Sequence, residues 1–117
     1  MNTRQKGTDK EQLAAAYLTK QGMRVVTCNF RGKQGEIDII GYHGNYLVFV
    51  EVKYRKNKQK GYAAEAVNLS KQKRICRVAD YYRFLHKLGT NTMVRYDVVA
   101  IQDNQIEWIQ NAFWHHY

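Results

Sequence analysis

Two hydrophobic periods alternate along this chain. From Asp9 to Lys20, Ala14, Ala15 and Leu18 recur at helical spacing, and Gly22 stands where such a helix stops. Thr8-Asp9-Lys10-Glu11 has the form of a capping box, in which Thr8 and Glu11 bond each other's backbone N–H groups. Met23 to Phe30 reads as a strand, with Asn29 serving turn chemistry and Arg31-Gly32 in a mobile loop. Gly35 to Ile40 and Tyr46 to Tyr54 read as two more strands around Gly44-Asn45, a two-residue hairpin loop with glycine first. Lys56 to Gly61 is a polar, basic loop. Glu65 to about Leu88 predicts a long helix ended by Gly89. Its stripe is Val67, Lys71, Ile75, Val78, Tyr82 and Leu85, and its solvated outer face holds Arg74, Arg77 and Tyr81. Val94 to Ile101 is a strong strand. Ile106 to Ile109 is a weaker one after the turn at Gln102-Asp103-Asn104, and residues 111–117 read as an aromatic tail. The order α-β-β-β-α-β-β predicts an α/β domain over residues 1–117, a mixed sheet with helices on its faces.

Charged residues break this pattern at a few places. Asp38 sits in the second strand, and Glu51 and Lys53 in the third. Such residues are depleted from strands and rarely buried without a partner. By alternation Glu36, Asp38 and Ile40 share one face, and Glu51, Lys53 and Arg55 share another. The hairpin register sets Asp38 opposite Glu51, their Cβ atoms ~5 Å apart. Two carboxylates so placed repel unless a cation lies between them. Mg²⁺ suits, because it takes one or two carboxylates together with water and phosphate oxygens. Lys53 then lies beside the metal, able to orient or help deprotonate water or to neutralise developing charge.

The block Gly35-Glu36-Ile37-Asp38 followed by Phe49-Val50-Glu51-Val52-Lys53 resembles the PD-(D/E)xK nuclease superfamily. With Gly7, Glu11, Asn29, Arg55, Lys71 and Arg95-Tyr96-Asp97, nearly the whole chain is similar to the YraN-like family of small bacterial proteins, themselves described as similar to archaeal Holliday-junction resolvases. One departure is that Ile37, not proline, precedes Asp38, and the chain has no proline at all. The resemblance implies a restriction-endonuclease-like fold and a Mg²⁺- or Mn²⁺-dependent endonuclease for branched or structured DNA. Asp38 and Glu51 would hold the metal, joined by the Val52 backbone carbonyl, and Lys53 would position or activate water. The resemblance also gives Glu11 a metal-supporting role. An acid on that helix's apolar face is better explained if the face looks into a site, although the capping box would account for it too. Glu36 is either a rim acid or part of an outer shell. Lys71 either snorkels to solvent or points into the site, and both readings stand. Symmetric cutting of a junction would suit a homodimer, whose face nothing in the sequence marks.

Charge agrees with a nucleic-acid partner. Lys and Arg number 19 against 10 acids, a net charge of +9. The cations cluster: Arg31 and Lys33 precede the acids, Arg55, Lys56, Lys58 and Lys60 follow them, and Arg74 lies on the long helix. These seven are the candidate phosphate contacts. A non-catalytic nucleic-acid-binding module in repair or recombination is the competing reading. An RNA-directed role is the weaker one, since no aromatic pair is spaced as a stacking platform. The N-terminus lacks the apolar core of a signal peptide, and the longest apolar run, Tyr46 to Val50, is too short to span a bilayer. The sequence thus points to a cytoplasmic protein without a membrane partner, and Cys28 and Cys76 to reduced, mostly buried thiols. Arg95 and Asp97 read as a salt bridge on the sheet, and the adjacent His115 and His116 as a poor metal pair.

Overall fold

The computed structural model describes residues 3–55 and 67–117. Helix α1 (Thr3–Lys20) leads into strands β1 (Arg24–Gly32), β2 (Gly35–His43) and β3 (Tyr46–Arg55). Helix α2 (Leu69–Leu85) crosses over to β4 (Val94–Gln102) and β5 (Gln105–Phe113). The five strands form one sheet in chain order, antiparallel throughout except for the parallel pair β3–β4. The expected α/β class and element order hold.

Each face of the sheet buries its apolar residues under one helix. Ile37, Ile40, Phe49, Tyr96 and Val98 pack with Ile75, Val78 and Tyr82 of α2. On the other face Ile39, Val48, Val50 and Val99 pack with Ala14 and Leu18 of α1. The β2–β3 hairpin closes as expected, His43 pairing with Tyr46 around Gly44 at φ 60°. Gly41 is required by a close approach: a Cβ there would come within 2.7 Å of the Arg24 carbonyl.

Several boundaries differ from the sequence reading. α1 begins at Thr3, so Thr8 is helical and the capping box does not form; a cap signal yields where good helix formers such as Arg4, Gln5 and Lys6 precede it. Arg31 and Gly32 belong to β1, not to a loop. Asn29 is also inside β1, in the left-handed conformation (φ 57°) that asparagine tolerates. α2 starts later than expected, its first turn capped by the Asn68 side chain, which accepts from the Lys71 N–H. It also ends earlier, with Lys87 at φ 55° before Gly89 is reached, and Leu85 is exposed. β5 runs on to the buried Phe113.

The residues expected as a tail dock on α2. His115 Nδ1 lies 2.6 Å from the Tyr96 hydroxyl, His116 Nε2 lies 2.9 Å from Gln72 Oε1, and Arg77 donates to the His116 carbonyl. Cys76 is buried as expected, but Cys28 is exposed, on the first strand of the sheet, which among the described residues pairs with β2 alone.

Candidate metal and phosphate site

The β2–β3 ladder runs from the turn to Ile39↔Val50 and ends there. One residue further on, Asp38 and Glu51 face the gap. Strand alternation breaks at the same point: Ile37 and Ile40 face α2 while Ile39 faces α1. The expected sharing of a face holds for Glu36 and Asp38, whose carboxylates converge, but not for Ile40, because the pleat is interrupted at Asp38. The interruption lets Asp38 Oδ2 turn inward and accept the Val52 N–H at 2.7 Å. The Val52 amide is thus tied to the site, a contact that sequence reasoning had not assigned.

Asp38 joins two groups of side chains. Towards α1, carboxylate oxygens of Glu11, Glu36 and Asp38 lie within 4.8 Å of one another. Towards α2, the Glu51 carboxyl is close enough to Asp38 for each to shift the other's proton affinity, and the Lys71 ammonium stands 2.7 Å from Glu51 Oε2. Lys71 therefore points into the site instead of snorkelling. Glu51 is 6% exposed, one of three buried charged residues among those described. Lys53 is on the same side of β3, close enough to Lys71, Glu51 and Asp38 for each to shift its proton affinity.

The electrostatics follow from this crowding. Burial first, then the hydrogen bond and charge of Glu51, push the Asp38 carboxyl up to about 9. Burial also works to raise Glu51, but the hydrogen bonds from Asp38 and Lys71 outweigh it and hold Glu51 below the usual carboxylate range. The two carboxyls thus titrate as a pair, Asp38 shifted up and Glu51 down. Burial, then Glu36 and Glu51, raise Glu11. Burial, then Lys71, lower the Lys53 ammonium, whereas Glu51 raises Lys71 against the effect of burial.

A pH dependence follows. An unfolded Asp titrates near ~3.9. Folded Asp38 keeps its proton to about 9. Its contribution to stability is full below the unfolded value and is lost as pH rises towards the folded one. With chelator present, Asp38→Asn is therefore expected to be more stable than wild type at pH 8, by about 1–3 kcal/mol, and equal to it near pH 4. Urea melts across pH read this directly. A wild-type profile that stays flat would mean that Asp38 is ionised in the fold.

The donor set fits a hard divalent cation. Such ions take carboxylate oxygens, and Glu11, Glu36 and Asp38 supply three that converge. Glu11 Oε2 is buried with no hydrogen-bond partner among the described residues, a costly state for a carboxylate that a cation would relieve. The acids that converge are thus Glu11, Glu36 and Asp38, with Glu51 adjoining Asp38, so the two acids expected only in supporting places stand beside Asp38 itself.

The expected phosphate contacts divide. Arg31 pairs with Glu36 at 3.1 Å and lines a groove with Lys33, while Arg74 lines a hollow with Lys71 and Glu36. The Arg55 side chain and Lys56, Lys58 and Lys60 lie outside the described residues. Arg95 and Asp97 form the expected ion pair, away from the acids, with Trp108 Nε1 and the Asn111 N–H also donating to Asp97. Among the described residues no helix is long and apolar enough to cross a membrane.

The model of the uncharacterised protein family UPF0102 matches residues 10–101. A UPF0102 protein of Lachnoclostridium phytofermentans is 45% identical over 113 residues, spanning 97% of this chain and 96% of the relative. One from Vibrio cholerae is 43% identical over 96% of this chain and 94% of its own length. One from Caldicellulosiruptor saccharolyticus is 42% identical over 97% of this chain and all of its own length.

Proposed function

This chain belongs to the uncharacterised protein family UPF0102, and we propose that it is a metal-dependent endonuclease acting on branched or structured DNA. One observation carries the reading: Glu11, Glu36 and Asp38 converge within 4.8 Å around a buried, unpartnered Glu11 oxygen, where β2 and β3 separate. The likeness of the GEID and FVEVK segments to the PD-(D/E)xK nucleases supports it. Glu11, Glu36 and Asp38 would hold Mg²⁺ or Mn²⁺, with Glu51 adjoining. When bound, that ion supplies Lewis-acid activation of water and neutralises charge on the phosphate.

The chain's own residues do the rest. The Val52 N–H fixes Asp38, so one of the converging carboxylates is oriented before any ligand arrives. Lys53, whose proton affinity burial lowers, would give up and regain a proton more readily than an exposed lysine and would orient the attacking water. Lys71 balances Glu51 and presents a cation to a phosphate oxygen. Lys33 and Arg74 supply sequence-independent contacts to the backbone. Symmetric resolution of a four-way junction would take two copies of the chain.

The test is to incubate the protein with labelled four-way junctions, flaps, linear duplex and single strands, with Mg²⁺, Mn²⁺ or chelator. Metal-dependent cleavage of junctions or flaps in preference to linear duplex is the expected outcome. Salt-sensitive binding without cleavage under every metal condition would sink the catalytic reading and leave a nucleic-acid-binding module.

A further inference from the structure

We propose that the groove between α2 and the β1–β2 turn is a track for a single-stranded DNA segment, with Tyr81 as the platform on which one of its bases stacks. The proposal rests on the nuclease reading and deepens it, giving the substrate a single-stranded flank beside the cleavage site.

The groove has a volume of about 570 Å³ and is lined by Arg31, Lys33, Arg77 and Tyr81. A smaller hollow of about 170 Å³ lies between Glu36, Lys71 and Arg74. Gln34 lines both, so the two form one path that begins at the carboxylates and runs along α2. Lys71, Arg74 and Arg77 recur every three residues, and Tyr81 follows one turn later. Ten residues of helix span ~15 Å, room for a few nucleotides of extended strand.

Cations alone would serve duplex phosphates equally well. Arg31 is tied to Glu36, and Arg77 to Asp80 at 3.4 Å. Lys33 and Arg74 have no ion-pair partner among the described residues and remain for a strand. Two other features distinguish bases from backbone. The Tyr81 ring is backed by Phe30, centroids 6.0 Å apart, yet the residue is 45% exposed. A supported aromatic with an open face is what an unpaired base stacks on, whereas a duplex keeps its bases within its own stack. Gly32 is the second feature. A Cβ there would stand 3.4 Å from the Tyr81 ring and 3.5 Å from Val78, so the missing side chain keeps the groove open beside the tyrosine. Gly32 does not have the left-handed backbone that only glycine favours, so a larger residue there fills the groove without straining the chain.

The experiment measures binding by fluorescence anisotropy with chelator present, so that nothing is cut. The probes are a blunt duplex and the same duplex with a short thymidine overhang on either end. Wild type is expected to bind an overhang duplex more tightly than the blunt one. Tyr81→Ala and Gly32→Leu should each remove that excess, a loss of ~5- to 150-fold, with blunt-duplex binding unchanged, and Tyr81→Phe should retain it. Equal affinity of the wild type for blunt and overhang duplexes overturns the track, as does an equal loss on both probes in Tyr81→Ala. The two readings fail separately. An overhang preference that depends on Tyr81, in a protein that cleaves nothing with metal, sinks the nuclease and supports the track. Metal-dependent cleavage by a protein indifferent to overhangs does the reverse.

Discussion

Truncating Lys53 to alanine is expected to slow metal-dependent cleavage by ~10²–10⁴-fold, the usual contribution of a positioned proton-transfer group, while DNA affinity stays near that of wild type. The side chain is partly buried beside Lys71, Glu51 and Asp38, and burial with the Lys71 charge eases loss of its proton. On the nuclease reading proposed above, it would serve the water-activating step more than backbone binding. Asp38→Ala should lower the rate to background at any metal concentration. That substitution removes the one carboxylate that converges with Glu11 and Glu36, couples to Glu51 and accepts from the Val52 amide. Single-turnover cleavage across a Mn²⁺ titration separates the two roles. Lys53→Ala should keep the wild-type metal dependence at a depressed plateau, whereas Asp38→Ala should show no plateau. Wild-type rates in Lys53→Ala would remove the lysine from the chemistry.

The second large effect is on stability. Asp97→Ala is expected to cost ~3–5 kcal/mol, the penalty for leaving a buried charge uncompensated, and to lower Tm by on the order of 10–20 °C. The Asp97 carboxylate accepts from Arg95 Nε and Nη2, from Trp108 Nε1 and from the Asn111 N–H, with donor distances of 2.9 Å in the best contact of each group. Side-chain exposure in the pair is 10% for Arg95 and zero for Asp97. Removing Asp97 leaves the Arg95 guanidinium without its counter-charge, with only His43 Nδ1 still 3.0 Å from it, and takes the carboxylate acceptor from the Trp108 and Asn111 N–H groups. An Arg95→Met, Asp97→Leu double variant removes both charges and should recover most of the loss. Thermal and urea melts of the three proteins test this. A loss below about 1 kcal/mol in Asp97→Ala would mean that water reaches the pair.

Much of the fold was legible because the sequence carries its periods plainly. The helix–strand order, the Gly44-Asn45 hairpin and the Arg95–Asp97 pair were all readable from spacing. The misreadings share a physical origin. Alternation assumes an unbroken pleat, so it put Ile40 on the face of Glu36 and Asp38, whereas the break at Asp38 turns Ile40 towards α2. A stripe of helical positions put Lys71 among apolar residues, but only the approach of α2 to β3 decides between solvent and Glu51. The capping box before Glu11 is a local signal, and the helix that overrides it begins five residues earlier. The last residues looked like a tail because their partners, Tyr96, Gln72 and Arg77, are distant in sequence. Tyr81 was placed on a solvated outer face, since nothing local shows that Gly32 leaves a groove in front of it.

The parallel pairing of β3 with β4 also bears on how the molecule assembles. Asp38 and Glu51 lie on strands joined by a two-residue turn, so a contact of low sequence separation brings them together. Lys71 arrives only on the crossover helix, whose placement depends on strands far apart in the chain, such as Val50 beside Asp97. Closing that long loop has to precede any reward from the parallel ladder, and it is the slow kind of event in a topology of this sort. The charge repulsion is therefore assigned to the fast, local half of the folding reaction, and its neutralising lysine to the slow, non-local half.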